Sequence, residues 1–329
     1  MSARRFLVTG GTGFLGAALM RRLLGAGHRV RVLDNNSRGA LRRLADVMGD
    51  VEMVEADVRD GEAVRRAAKG IDFLVHMAAV NGTEFFYSRP ELVLDVAVRG
   101  MLAVIDACRA NGVGELSVAS SSEVYQEPSH IPTGESEPLV VPDIMNPRYS
   151  YGGGKIMSEL IAVNYGRTGF GRVTIFRPHN VYGADMGWEH VLPQLILRAK
   201  GAAADCSSGA VPLEIQGDGS QRRAFVHVDD FTESLMCVLE RGAHLNLYHL
   251  GNPEEVTIAD AARRILRCMG RDVRLVATPE PPGATQRRCP DIAKVAALGF
   301  APKVSLDAGL PGVVDWYLAN GHLLSTAGK

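Results

Sequence analysis

A chain of 329 residues with 36 Lys and Arg against 37 Asp and Glu carries a formal charge of −1 at pH 7, leaving no positive surplus to grip a phosphate backbone or an anionic membrane. With 46% hydrophobic and 22% charged residues it has the composition of a globular protein, long enough for one large α/β domain or two smaller ones; disorder, collagen and coiled coil are excluded as descriptions of the whole. No apolar run approaches the ~18 residues of a membrane span, which predicts a soluble, cytoplasmic protein with neither membrane nor nucleic acid as partner.

Short apolar runs at 4–8, 30–33, 51–55, 73–77, 116–119 and 173–176 each sit between segments of helical periodicity. That alternation is the sequence form of a parallel sheet covered by helices on both faces. The first helix is predicted over 14–24. Between 92 and 110, Val93, Val96, Ala97, Met101, Val104, Ile105 and Cys108 recur at helical spacing before Asn111-Gly112, so a long helix with one buried stripe should stop there. After residue 177 the rhythm is broken by Pro178, Gly183, Gly187, Pro193 and the small-residue stretch 201–209. A smaller C-terminal lobe is the simplest account, with helices over 230–240, 258–269 and 306–317 and strands near Glu214 and Leu247.

The motif TGGTGFLG, Thr9 to Gly16, lies between the first strand and the first helix. Gly10, Gly13 and Gly16 permit a tight turn, close approach of backbone N–H groups to a pyrophosphate, and close helix-to-sheet packing, with the helix N-terminus supplying partial positive charge. Asp34 ends the second strand at the distance expected of an acid that accepts ribose hydroxyls, and a carboxylate there repels a 2′-phosphate, favouring NAD over NADP. Arg38 is the counter-signal, a guanidinium that could accept that phosphate. Asp57, ending the third strand, is placed either to face an adenine or to cap the helix starting near Gly61.

A second constellation is Tyr151-Gly152-Gly153-Gly154-Lys155. Positions i and i+4 share a helix face, so a phenol and an ammonium can converge, the cation lowering the tyrosine pKa; the alternative is a solvated helix face. Tyr149 stands where a phosphate-binding loop of the Walker type has its first glycine and Ile156 follows the lysine, so this stretch is not such a loop. Five cysteines form no C-x-x-C pair and nine histidines show no H-x-x-x-H spacing, which argues against disulfides and metal and gives His227 a structural role.

Together, TGGTGFLG, Asp34, Asp57, His76-Met77-Ala78-Ala79, Ser120-Ser121-Ser122-Glu123-Val124-Tyr125 and Tyr151-x-x-x-Lys155 resemble the extended short-chain dehydrogenase/reductase family, above all its nucleotide-sugar epimerases, dehydratases and decarboxylases. The likeness continues through Arg177-Pro178-His179-Asn180-Val181-Tyr182-Gly183, Gly217 to Arg223, Gly251 to Glu255 and Arg287 to Asp291, nearly the whole chain. It implies a Rossmann doubly wound parallel sheet over residues 1–177, binding NAD, and a smaller α/β lobe over 178–329 that holds most of a nucleotide-diphosphate sugar, with some chain exchange between lobes and a homodimer as the assembly. The implied NAD site comprises Gly10, Thr12, Gly13, Phe14, Leu15 and Gly16, then Asp34, Asn36, Ser37 and Arg38, then Asp57, Val58, Met77, Ala78 and Ala79, and finally Tyr151, Lys155 and Pro178. The implied catalytic set is Ser121, Glu123, Tyr151 and Lys155. Ser121, Ser122, Glu123, Asn180, Arg223 and Arg288 are implied on the substrate, the two arginines on its diphosphate or, for Arg288, beside the reacting sugar. The alternative for Arg223 and Arg288 is a surface ion pair, and for Glu123 a turn cap or an ion pair.

The implied reaction oxidises a secondary alcohol to a bound 4-keto sugar, which then leads to epimerisation, dehydration or decarboxylation. Epimerisation is the first expectation; the Ser-Ser-Glu-Val-Tyr stretch, similar to that of UDP-glucuronate decarboxylases, keeps the lyases close behind. Ala97 where the family commonly has asparagine, the loop Asn81-Gly82-Thr83-Glu84, and His179 before Asn180 depart from the pattern and bear on the substrate rather than on the cofactor.

Overall fold

The computed structural model describes residues 3–279 and 285–326, those at 325–326 by backbone alone. In chain order the first half runs β1 (Arg5–Thr9), α1 (Phe14–Gly25), β2 (Arg29–Asp34), β3 (Val51–Glu55), α2 (Gly61–Ala67), β4 (Phe73–His76), α3 (Thr83–Ser88), α4 (Pro90–Asn111), β5 (Glu115–Ala119), α5 (Ser150–Gly166) and β6 (Arg172–Pro178). It continues through β7 (Val181–Tyr182), α6 (Val191–Asp205), β8 (Val211–Gln216), β9 (Arg222–Ala224), β10 (Val226–His227), α7 (Val228–Arg241), β11 (Asn246–Leu250), β12 (Glu255–Thr257), α8 (Ile258–Cys268), β13 (Val273–Thr278), β14 (Arg287–Arg288), α9 (Ala293–Ala296) and α10 (Leu306–Ala319). All six strands expected in the first half form, and so do the expected helices.

The fold is a Rossmann-type α/β sheet of seven strands in the order β11-β6-β5-β4-β1-β2-β3, each neighbouring pair parallel. The strand order reverses between β1 and β4, where open α/β sheets place their ligands. Central strands are buried on both faces, as their continuous apolar runs require: every residue of β4 and positions 6–9 of β1 are buried. One face is covered by α2, α4 and α5, with Leu74, Met101, Val104 and Leu116 in the core; the other by α1 and α7, with Leu19, Leu23, Phe176 and Phe231. From beyond residue 178, α7 covers this sheet and β11 extends it.

The smaller lobe packs α6, α8 and α10 around a separate core that includes Tyr182, Trp188, Leu213, Ile265 and Tyr317. Its sheets are short: β12-β9-β14, and β13 with β8. Among the described residues no helix is long and apolar enough to cross a membrane.

Local signals act as elementary chemistry dictates. α4 buries its predicted stripe and ends at Gly112, whose φ of 65° is the left-handed conformation of a helix stop. The cap of α2 is supplied by Asp60, whose carboxylate accepts from the Ala63 N–H at 3.0 Å, so that alternative for Asp57 is corrected. His227 caps α7 through its ring, which accepts from the Asp229 N–H at 3.3 Å.

Candidate active site

The glycine loop turns at the C-terminal end of β1. Gly10 has a φ of 77°, and a Cβ on it would lie 2.7 Å from the Ala78 backbone nitrogen, so only glycine allows the loop to press against the chain leaving β4. A Cβ on Gly16 would meet the Gly10 carbonyl oxygen at 2.2 Å. Gly13 stands at the N-cap of α1 with no side chain capping the first turn, which leaves the helix N-terminus open toward an anion. Thr9 Oγ1 ties the crossover together, 2.8 Å from His76 Nδ1 and accepting from the N–H groups of Met77 and Ala78 at 3.2 and 3.3 Å.

Asp34 is fixed at the end of β2. Its carboxylate accepts from the Thr12 N–H at 3.0 Å and the Asn36 N–H at 2.9 Å. Among the described residues, Thr12 Oγ1 and Asn36 Oδ1 are buried beside it without a hydrogen-bond partner, a pair of orphaned polar atoms at the place where a dinucleotide's ribose and phosphates would lie. Glycine cradle, open helix terminus, fixed carboxylate, and an orphaned hydroxyl and amide oxygen fit NAD. Ser37 is turned back onto Asn35 Oδ1, its hydroxyl donating at 2.7 Å. Arg38 donates to Glu189 at 2.6 Å and to the Asn81 carbonyl at 2.9 Å.

Asp57 accepts from Arg59 through two nitrogens, at 2.9 and 2.8 Å, and from Asn35 at 3.0 Å. These hydrogen bonds, Arg59's first, hold its carboxyl below the usual value against the opposing effect of burial. Val58 is buried where a Cβ on Gly100 would touch it. The Phe14 ring lies beside Gly183 and packs against the core of the smaller lobe, and Leu15 packs against the core behind α1.

At the neighbouring strand end, the turn after β5 and helix α5 bring Ser121, Tyr151 and Lys155 together. The Ser121 side chain lies close enough to the Tyr151 phenol to favour its ionised form, and the Ser121 oxygen accepts from the Glu123 N–H at 3.2 Å. Tyr151 stacks on Phe86 with ring centroids 5.1 Å apart. Lys155 Nζ donates to the Ala119 carbonyl at 2.7 Å. The expected lowering of the tyrosine pKa is corrected here: burial pushes the phenol up and Glu123 pushes it further, while Lys155 Nζ is 5.8 Å from the ring centroid. Lys155 is the perturbed partner, pushed down to about 8 by burial against the pull of Glu159. The solvated-face alternative fails, since both residues are buried.

Glu123 is half-buried and ion-paired with Arg288, which β14 brings from the smaller lobe. Burial pushes its carboxyl up, but Arg288, followed by Arg148 and Arg223, outweighs it and holds the acid below its usual range. Arg223 donates to the Thr285 carbonyl at 2.7 Å, and Arg288 Nη2 to Thr285 Oγ1 at 3.2 Å, while Arg288 Nε is buried without a partner among the described residues. Asn180 holds a φ of 41° and donates to the Ala224 carbonyl at 3.2 Å, tying β6 to β9. Ser122 is buried beside Glu123, and Pro178 ends β6 next to Leu250.

Two features escaped the sequence reading. Arg177 forms a buried bidentate pair with Glu159, at 2.7 and 2.5 Å, and bonds the Tyr125 hydroxyl, which lies 2.5 Å from His249 Nε2. Glu159 follows Lys155 by four, so the Tyr151–Lys155 face extended by one turn would have found it. Arg148 adds positive charge beside Glu123 with no motif to announce it. His179 is buried against His249 with neither ring nitrogen partnered among the described residues.

The profile of the NAD dependent epimerase/dehydratase family matches residues 6–251. A dTDP-4-dehydro-6-deoxy-D-allose reductase of a Streptomyces species is 31% identical over 333 residues, covering 96% of this chain and 97% of that protein. UDP-glucuronic acid decarboxylase 4 of Arabidopsis thaliana is 30% identical over 318 residues, covering 94% of this chain and 68% of that one. Among solved structures, a dTDP-glucose 4,6-dehydratase of Streptomyces venezuelae with NAD bound superposes with a TM-score of 0.85 at 30% identity, over 98% of this chain and 99% of that one.

Proposed function

The chain belongs to the NAD-dependent epimerase/dehydratase family, and from that premise we propose that it is a nucleotide-sugar epimerase that works through a transient 4-keto sugar. The observation that carries this reading is the Ser121–Tyr151–Lys155 cluster at the end of β5, beside the glycine cradle. NAD, when bound, supplies the acceptor and later the donor of a hydride.

The chain's own groups handle the proton and the orientation. Gly10 to Gly16 and Asp34 hold the dinucleotide, and Asn180, Arg223 and Arg288 line the path for the sugar's diphosphate. The Ser121 hydroxyl and the Tyr151 phenol hold the C4 hydroxyl, and the phenolate of Tyr151 takes its proton as C4 is oxidised and returns it when the carbonyl is reduced. Taking that proton requires the phenolate form of Tyr151, which burial opposes, and the ammonium of Lys155, itself pushed down by burial to about 8 and so titrating near neutrality, is the charge below it that offsets this cost. Ser122 stands where a dehydratase of this group needs an acid to expel a hydroxyl at C6, which argues for return of the hydride over elimination.

A second reading, loss of carbon dioxide from a nucleotide uronate, is favoured by one observation: the Glu123–Arg288 pair sets an ionised acid and a guanidinium where chemistry at C5 would need them. The test is to incubate NAD-loaded protein with UDP-, dTDP-, GDP-, CDP- and ADP-sugars in deuterated water and analyse the products by mass spectrometry. The epimerase reading expects an isomer without carbon-bound deuterium and no net change in NAD. Carbon dioxide with deuterium at C5 moves the assignment to decarboxylation, and stoichiometric accumulation of reduced cofactor overturns both.

A further inference from the structure

The loop that follows β2 carries three arginines, Arg38, Arg42 and Arg43, within nine residues of Asp34. An arginine near that acid is the means by which a Rossmann site accommodates a 2′-phosphate. Here none of the three is left to do so, because each is paired with a carboxylate of the smaller lobe. Arg42 grips both oxygens of Asp185, one at 2.7 Å, and Arg43 Nε lies 3.1 Å from the same carboxylate. Arg38 donates to Glu189 Oε1 at 2.6 Å and to the Asn81 carbonyl at 2.9 Å, with its guanidinium 4.4 Å over the Phe85 ring.

The surrounding chain is shaped to the Arg38 pair. Gly82 has a φ of 121°, and a Cβ on it would lie 3.0 Å from both Arg38 Nη2 and Glu189 Oε1, so the unusual Asn81-Gly82 loop leaves room for the ion pair and offers it a carbonyl. Asp185 and Glu189 stand four residues apart in the segment between β7 and α6, which reaches across the cleft from the substrate side.

We infer that Glu189, assisted by Asp185, is a specificity-determining residue for the cofactor: it withholds Arg38 from the adenosine end, so that Asp34 faces the ribose without a compensating cation and NADP is rejected. Cofactor choice is thereby set from the substrate lobe as well as from β2. Glu189→Gln removes the charge that holds Arg38 while keeping an amide of the same shape.

The test measures NAD and NADP dissociation constants by calorimetry for the wild type, Glu189→Gln, Arg38→Met and the double variant, with melting curves to confirm folding. Glu189→Gln is expected to move the NADP-to-NAD preference toward NADP by about tenfold, the scale of one charge-assisted contact to phosphate. Adding Arg38→Met should restore the wild-type ratio, and Arg38→Met alone should leave that ratio unchanged. A folded Glu189→Gln variant with the wild-type ratio would overturn the inference and reduce the pair to a tie between lobes. So would a shift that survives in the double variant. Should Glu189→Gln not fold, Arg38→Met alone still decides, since a loss of NADP binding relative to NAD would show that Arg38 is free to serve the phosphate.

Discussion

At the scale of single residues, the site is governed by which charges are compensated. Tyr151 keeps its stacking on Phe86 when its hydroxyl is removed, so Tyr151→Phe should leave nucleotide-sugar affinity nearly unchanged while turnover falls by about 10²-fold or more, as expected for loss of a positioned proton donor. Steady-state kinetics together with calorimetry of the substrate would separate the two effects; near-wild-type turnover would remove the phenol from the mechanism. Glu123 presents the opposite case. Its charge offsets Arg288, and Glu123→Gln retains an oxygen to accept from the guanidinium while exposing the full positive charge to an anionic substrate. Under the epimerase reading, KM should fall by about threefold to tenfold with kcat changed little. A loss of about 10² or more in kcat would instead make the carboxylate a base at C5.

At the scale of elements, helix α5 shows why part of the site was legible and part was not. The pattern Tyr151-x-x-x-Lys155 places two residues on one face from spacing alone, and the structure puts both there. Three successive glycines inside a helix raise a question that spacing cannot answer, because each costs about 1 kcal/mol relative to alanine. The answer differs at each position. A Cβ on Gly152 would lie 3.1 Å from the Glu123 carbonyl and 2.7 Å from Gln126 Nε2, and one on Gly154 would lie 2.9 Å from the Ala97 Cβ, whereas Gly153 meets only Val141 at 3.6 Å. Close approach of the turn carrying Glu123 and of α4 therefore accounts for two of the three. It also gives Ala97 a structural reason: a larger side chain there would separate α4 from α5, whose Ser158 hydroxyl donates to the Ala97 carbonyl at 3.0 Å. Gly153→Ala is expected to stabilise the protein by about 1 kcal/mol, and Gly154→Ala to destabilise it by a similar or larger amount. Urea unfolding of both variants checks the pair of signs, and equal effects would show that helix propensity alone decides. Strand positions and the glycine loop were readable because they depend on local periodicity and on a local turn. The partners of Arg38, Arg177 and Arg288 were not, since Glu189, Glu159 and Glu123 are brought to them by topology over separations of 151, 18 and 165 residues.

At the scale of the whole molecule, the same burial that prepares the site charges stability for it. Lys155 is buried, with the Ala119 carbonyl as its one direct acceptor among the described residues, and burial pushes its ammonium down to about 8 from an ordinary value of 10.5. Between those values the unfolded chain still holds a proton that the folded chain has released, so by linkage stability must rise with pH across the window. The contribution is complete above the unfolded value and absent below the folded one, where the buried charge is a constant penalty. Other groups move in the opposite sense: burial pushes the Cys108 and Cys289 thiols up to about 12 and about 11, so an unfolded chain loses those protons first and stability falls as pH rises. Those effects are common to the wild type and to Lys155→Met, and they cancel in the difference between the two. Tyr151, also pushed up, acts in that opposite sense only where an unfolded tyrosine ionises, near pH 10 and above. Urea unfolding of both proteins without cofactor, from about pH 7 to about pH 9.5, should therefore show Lys155→Met with its largest advantage at the low end and the wild type gaining on it steadily as the lysine is relieved of its charge. A difference that stays constant across that range would mean that Lys155 keeps its proton throughout, and the group titrating near neutrality would then have to be sought elsewhere in the site.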